Sequence, residues 1–197
     1  MRRIILALLL LTACGLGAAR TPQEIYPASY IAFEMEQLSF ELSDSLMIFD
    51  GLFSFSNLSA LREKDEIYFP IIVDNDQAMY DSLFVTWEET GYPVPTRRLE
   101  GGFWFTLELP GRSIDTIRIR YRQKLNGKQA KYILLSANSW AKALAYASYR
   151  VSLPQGSKVK HYPFEDRVEA QLIDGRLVWT WHVHDFVPKK DFYIEWE

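Results

Sequence analysis

The strongest indication of the fold is the stretch Ile117-Arg118-Ile119-Arg120-Tyr121-Arg122. Apolar and basic residues alternate through it with a period of two, which is the repeat of a β-strand with one face in a protein core. A period of two recurs outward along the chain in Leu38 to Leu42 and in Phe192 to Trp196, and Phe103 to Leu107 is rich in the aromatic residues typical of strands. A chain patterned in this way is predicted to be all-β.

Two dipeptides mark the sharpest turns between these strands. Asn126-Gly127 and Asp174-Gly175 both favour the left-handed backbone of a two-residue hairpin turn. The first predicts that the strand around residues 117–122 pairs with Lys131 to Leu135. The second predicts a hairpin between residues 168–173 and 176–183.

About a dozen short strands are predicted in all, and they favour an antiparallel β-sandwich, Ig-like or enlarged, over a barrel. Pro70 removes a hydrogen-bond donor from the strand Glu66 to Val73, which predicts an edge strand or a bulge. At most one short helix is expected, in the alanine-rich segment Ser139 to Ala147. We expect one β-sandwich domain over residues 30–197, with two packed sub-sandwiches that divide near residue 138 as the alternative.

Part of this pattern is similar to that of a known group of proteins. Phe53-Ser54-Phe55-Ser56-Asn57 is followed by Ile67-Tyr68-Phe69-Pro70, and further on come Tyr132-Ile133-Leu134-Leu135, Trp140 and Tyr149-Arg150-Val151-Ser152-Leu153-Pro154. The arrangement resembles uncharacterised exported β-sandwich proteins of bacteria. The resemblance implies a fold and carries no catalytic residues.

The N-terminus has the organisation of a secretion signal. Arg2 and Arg3 precede the apolar run Ile4 to Leu11, which is too short to span a bilayer. Leu11-Thr12-Ala13-Cys14 then resembles the bacterial lipobox. That resemblance implies cleavage before Cys14, attachment of diacylglycerol to its thiol, and firm anchoring by several acyl chains.

Residues 1–19 are therefore interpreted as the signal peptide and residues 20–29 as a tether. The resemblance to lipoproteins also implies a location: Gly15 stands where an aspartate is associated with inner-membrane retention, so in a host with an outer membrane the expected location is the outer membrane or the periplasmic face. The alternative is cleavage after Ala19, which would release a soluble periplasmic or secreted protein.

Composition excludes several classes of function. The net charge of −3 becomes more acidic once Arg2 and Arg3 are removed, which argues against nucleic acid as a partner. The single cysteine, Cys14, leaves the body without a disulfide, a cysteine-ligated zinc site or a catalytic thiol. The chain also has no Gly-x-Ser-x-Gly elbow and no glycine-rich phosphate loop. No cofactor is predicted, and the protein is expected not to be an enzyme.

Three groups of residues are candidate sites. His182 and His184 lie two apart on a predicted strand and could share a metal ion with His161, Glu165, Asp166 or Asp185, but the pattern favours a polar outer strand face, and no metal site is predicted. Arg118, Arg120 and Arg122, followed by Lys124, could bind a polyanion or could pair with acids on neighbouring strands. The six tryptophans could stack on sugar rings, but most are placed as core residues.

These observations lead to three hypotheses of function. The first is a non-enzymatic cell-envelope lipoprotein that acts as an interaction or assembly module, with an envelope protein or a glycan as partner. The second is a glycan-binding β-sandwich, which requires two or three coplanar exposed tryptophans. The third is a metal-dependent hydrolase that uses His182 and His184.

Overall fold

A computed structural model describes residues 29–140, 142–164 and 168–197 of the chain. The predicted signal peptide, Cys14 and most of the tether lie outside these residues, as do Glu165 and Asp166. Within the described part, no helix is both long and apolar enough to span a membrane.

The described residues form an all-β sandwich of thirteen strands. The only helical element among them is a single 3-10 turn, Leu135–Ser139. The strands are β1 (Ile31–Leu42), β2 (Leu46–Asn57), β3 (Glu63–Pro70), β4 (Gln77–Trp87), β5 (Thr96–Leu99), β6 (Gly102–Leu109), β7 (Ile114–Leu125), β8 (Gln129–Tyr132), β9 (Leu144–Pro154), β10 (Val159–His161), β11 (Gln171–Ile173), β12 (Arg176–Phe186) and β13 (Phe192–Trp196).

One layer of the sandwich is a seven-stranded sheet in the order β11-β12-β9-β1-β2-β7-β4. Its neighbours are antiparallel except for β1 and β9, which are parallel, so the sheet is mixed rather than purely antiparallel as expected. Because β1 pairs with β9, the large sheet contains strands from both sides of residue 138, the position at which a division into two sub-sandwiches is the alternative prediction.

The other layer consists of two three-stranded sheets, β10-β13-β8 and β3-β6-β5. Aromatic rings join both of them to the large sheet. Phe40 of β1 stacks on Phe192 of β13 with ring centroids 4.3 Å apart, and Phe53 of β2 meets Phe69 of β3 edge-on at 5.3 Å. Phe69 also contacts Tyr132 of β8 at 6.2 Å, so the two small sheets meet over the middle of the large one.

Local turn chemistry was predictive where the paired strands are neighbours in sequence. Asp174 and Gly175 both have positive φ, 51° and 73°, as a type I′ turn requires, and they join β11 to β12. Pro70 ends β3, which is an edge strand that pairs with β6.

Two expectations were wrong. The strand after Asn126-Gly127 does not pair with β7, because β2 and β4 already occupy both edges of β7, and β8 pairs with β13 instead. The described residues of the alanine-rich segment Ser139 to Ala147 do not form the expected helix, since Leu144 begins β9, which lies between β1 and β12 in the large sheet. Sheet pairing on both sides there outweighs the helix propensity of alanine.

Asn57, the last residue of β2, forms hydrogen bonds that link the large sheet to the second layer. Its buried amide nitrogen donates to the carbonyl oxygens of Leu61, Leu109 and Pro110 at 2.8–3.0 Å. Its side-chain oxygen accepts from the backbone N–H of Ser59 at 2.8 Å. An asparagine at this strand end therefore satisfies backbone groups from both the β2–β3 turn and the end of β6.

Candidate functional site

An aromatic cavity of about 460 Å³ lies where the two small sheets meet over the large one. The large sheet contributes Phe33, Phe53 and Phe55 to its lining. The second layer contributes further aromatic rings, and the segment around the 3-10 turn adds small side chains and an indole; these residues are Phe69, Trp104, Phe105, Tyr132, Ser136, Ala137, Ser139 and Trp140. The volume and the apolar lining are those of a small-molecule site.

The rings around the cavity form a connected set. Phe33 stacks on Phe55 with centroids 5.2 Å apart, and Trp140 packs against both of them at 5.8 and 5.5 Å. Tyr68 and Trp104, 5.2 Å apart, lie side by side on the outer layer. Tyr68 is partly exposed, whereas Phe33 and Phe55 are buried, so the cavity runs from the surface into the core.

Glu36 is the one acidic or basic side chain that is buried within the described part of the chain, and it lines this cavity. Burial raises the pKa of its carboxyl to about 7, against a hydrogen bond from the Tyr149 hydroxyl that acts in the opposite direction. Glu36 therefore changes its charge close to neutral pH. Burial also raises the pKa of Tyr149 and of Tyr132, and both hydroxyls stay protonated in that range.

Sequence reasoning missed Glu36, although a signal was present. Glu36 is in phase with Leu38, Phe40 and Leu42, which form the buried face of β1. A carboxylate at a position that shares the buried face of a strand with apolar residues is unusual, because burying an unpaired charge is costly. The cavity itself gave no local signal, since its walls come from segments far apart in the chain.

Arg118, Arg120 and Arg122 lie on the outer face of β7, and the neighbouring strands β2 and β4 place acidic side chains beside them. Arg118 forms a bidentate ion pair with Asp50. Its Nε and one terminal nitrogen lie 2.8 and 2.6 Å from the two carboxylate oxygens. Arg122 pairs with Asp81 at 2.9 Å, and Arg120 lies 5.8 Å from the centre of the Phe84 ring. Binding of a polyanion by this face remains a prediction, and an anion would compete there with the existing acids.

The two histidines project from the exposed face of β12. His182 Nδ1 lies 2.7 Å from the hydroxyl of Tyr146, and the ring of His184 is 5.2 Å from the same tyrosine ring. His161 lies on β10 against Tyr193. No group of three histidine, cysteine or acidic side chains suited to a metal ion occurs within the described residues.

All six tryptophans fall within the described residues, and none of them is fully exposed. Trp179, Trp181 and Trp196 are buried, which agrees with the expectation that most tryptophans are core residues. Trp87 and Trp140 pack against the core, and Trp104 is half-buried. The coplanar exposed platform that the glycan hypothesis requires is therefore not formed by these tryptophans.

No protein-family model matches the chain, and no curated protein matches it in sequence. Similarity appears at the level of structure. A protein from Legionella pneumophila subsp. pneumophila str. Philadelphia 1, provisionally named a nutrient-binding protein, superimposes with a TM-score of 0.60 at 11% identity; the match covers 85% of this chain and 67% of that one.

M1 zinc metallopeptidases are also similar. The enzyme from Deinococcus radiodurans matches with a TM-score of 0.54 at 11% identity, and the match covers 86% of this chain and 43% of the enzyme. A two-domain M1 zinc metallopeptidase variant bound to L-arginine gives a TM-score of 0.54 at 12% identity and covers 87% of this chain and 44% of that one. The chain thus spans less than half of these peptidases, and at such identities the likeness establishes the all-β sandwich fold alone.

Proposed function

We propose that this protein is a non-enzymatic binding module of the bacterial cell envelope, which holds a small, largely apolar molecule in the aromatic cavity. The observation that carries the proposal is the cavity itself, about 460 Å³ in volume and lined by rings from both layers. Filling such a space with a ligand recovers the dispersion contacts and apolar burial that the empty space lacks.

Two further observations support a binding role. The structurally similar Legionella protein carries a nutrient-binding name, although at 11% identity that name describes only that protein. The lipobox around Cys14 would tether the module to a membrane, most simply at the outer membrane or the periplasmic face. Residues 20–29 would then separate the sandwich from the lipid.

The test uses tert-butylbenzene as a neutral probe of the cavity. Trp104 and Trp140 line the cavity, so entry of the probe should change the tryptophan fluorescence in a saturable manner. Ser139, an exposed residue of the lining, offers a way to obstruct the cavity without altering the core. Ser139→Phe should weaken binding of the probe about tenfold or more.

The matched control is Ser45→Phe, which adds the same ring at an exposed serine in the turn between β1 and β2. It should leave the binding of the probe unchanged. An absence of saturable binding in the wild-type protein, or equal weakening by both variants, would contradict the proposed function.

A further inference from the structure

The charged side chains of the cavity lining are all acidic. Glu36 lies at the buried end and Glu66 is exposed on β3, and no lysine or arginine contributes to the lining within the described residues. Anionic ligands such as fatty acids would bring a further negative charge towards both carboxylates. The electrostatics of the cavity therefore favour a ligand of positive charge.

The aromatic rings favour the same charge. The faces of phenylalanine, tyrosine and tryptophan carry negative potential, and several rings around one site attract alkylammonium groups more than neutral ones of the same shape. Phe33, Phe55 and Trp140 are mutually in contact, with centroids 5.2–5.8 Å apart, and enclose one side of the cavity. They would form such a cage next to Glu36.

Among the residues that the structure describes, no lysine, arginine or histidine pairs with Glu36. Its hydrogen bond comes from the neutral hydroxyl of Tyr149 on β9, Tyr132 on β8 is the other titratable group that interacts with it, and Phe53 of β2 is its cross-strand neighbour. A buried carboxylate with such surroundings is costly unless a cation approaches it. An ammonium group in the cavity would supply that cation.

We propose that the ligand of the aromatic cavity is an organic ammonium ion, a primary amine or a quaternary ammonium, whose charge is balanced by Glu36 and whose alkyl groups contact the surrounding rings. This inference rests on the proposed function, because it names the ligand class of the same cavity. Bound ammonium should favour the ionised carboxylate, so binding should release a proton near neutral pH.

The experiment compares two probes of the same shape, phenyltrimethylammonium and neutral tert-butylbenzene, by tryptophan fluorescence at pH 8. The cation should bind at least about tenfold more tightly to the wild-type protein. Glu36→Gln preserves the size of the side chain and keeps one oxygen that can accept the hydrogen bond of Tyr149, but removes the charge. It should lower the affinity for the cation more than that for the neutral probe, so that the preference for the cation is lost.

Three additional measurements extend the test, and one of them detects folding defects. Trp140→Leu removes an aromatic face and should weaken the cation more than the neutral probe, and the unfolding transition of each variant reports whether it is folded. The affinity for the cation should also rise between pH 6 and pH 8 in the wild-type protein, but not in Glu36→Gln.

The outcomes separate the two proposals. If neither probe binds, the proposed function and this inference both fail. If tert-butylbenzene binds but the cation has no advantage, or if Glu36→Gln keeps the advantage, the cavity is a site for neutral ligands and only this inference is overturned.

Discussion

Substitution of Glu36 by glutamine should change how the stability of the sandwich depends on pH. Glu36 is buried against the aromatic lining of the cavity, and desolvation raises its pKa from 4.5 to about 7. In the unfolded chain the same carboxyl titrates near its ordinary value. The folded protein therefore binds a proton more tightly than the unfolded one, and its free energy of unfolding falls as the pH rises from about 4.5 to 7.

The size of this effect follows from the two pKa values. Each unit of difference corresponds to about 1.4 kcal/mol, so the raised pKa of Glu36 removes about 3 kcal/mol of stability once the pH is well above 7. That is a large part of the stability of an ordinary domain. Below pH 4.5 the carboxyl is protonated in both the folded and the unfolded protein, so this loss of stability is absent there.

The assay is urea unfolding at pH 4.5 and pH 8 of residues 20–197, with the wild-type sequence and with Glu36→Gln. The difference in unfolding free energy between the two proteins should change by about 3 kcal/mol in favour of the variant on going to pH 8. Any constant cost of the amide is present at both pH values and cancels in this comparison. Glu89→Gln, at an exposed site before β5, is the control and should show no such change. A shift below about 1 kcal/mol for Glu36→Gln would refute the reasoning that Glu36 is ionised in a desolvated site.

Four further predictions concern the core, the strand end, the metal question and the anchor. Trp179→Ala should lower the free energy of unfolding by about 3–5 kcal/mol, because Trp179 is buried, whereas Leu61→Ala at a residue 73% exposed should change it by less than about 0.5 kcal/mol; similar effects in urea melts would show that the tryptophan is not core. Asn57→Asp should destabilise the protein by several kcal/mol, at least about 2, because an acceptor replaces the donor to three carbonyls, and a neutral effect would contradict the role of that amide. The untagged body should hold well under one equivalent of zinc, copper or nickel, and chelator should leave its melting temperature unchanged; stoichiometric metal that is lost with His182→Ala would reverse this expectation. In the native host, Cys14→Ala should move the protein from the membrane fraction to the soluble one, and a wild-type protein that is already soluble would count against lipidation.

The predictive power of the sequence was greatest for individual strands and for turns between sequence neighbours. Alternation placed Ile117, Ile119 and Tyr121 in the core, and all three are buried. Asp174-Gly175 joins strands that form an adjacent pair, so its turn chemistry was sufficient to predict the hairpin. Both inferences depend on contacts within about ten residues, which a local pattern records.

Which strands pair with which was decided by tertiary structure. Asn126 binds the carbonyl oxygen of Asn75 through its side chain, and β8 crosses to β13, some sixty residues further along the chain. The parallel pairing of β1 with β9 joins segments that are separated by more than a hundred residues. No local pattern specifies such partners, because each edge accepts any strand of suitable length and twist that the rest of the fold brings to it.

The candidate site shows the same division. Glu36 is visible in the sequence as a charge on the apolar phase of β1, which indicates a buried carboxylate. Its surroundings are not visible there, since Phe55, Trp104 and Trp140 reach the cavity from three different segments. Periodicity thus determines which face of a strand each side chain occupies, whereas only the packing of the two layers determines what that side chain meets.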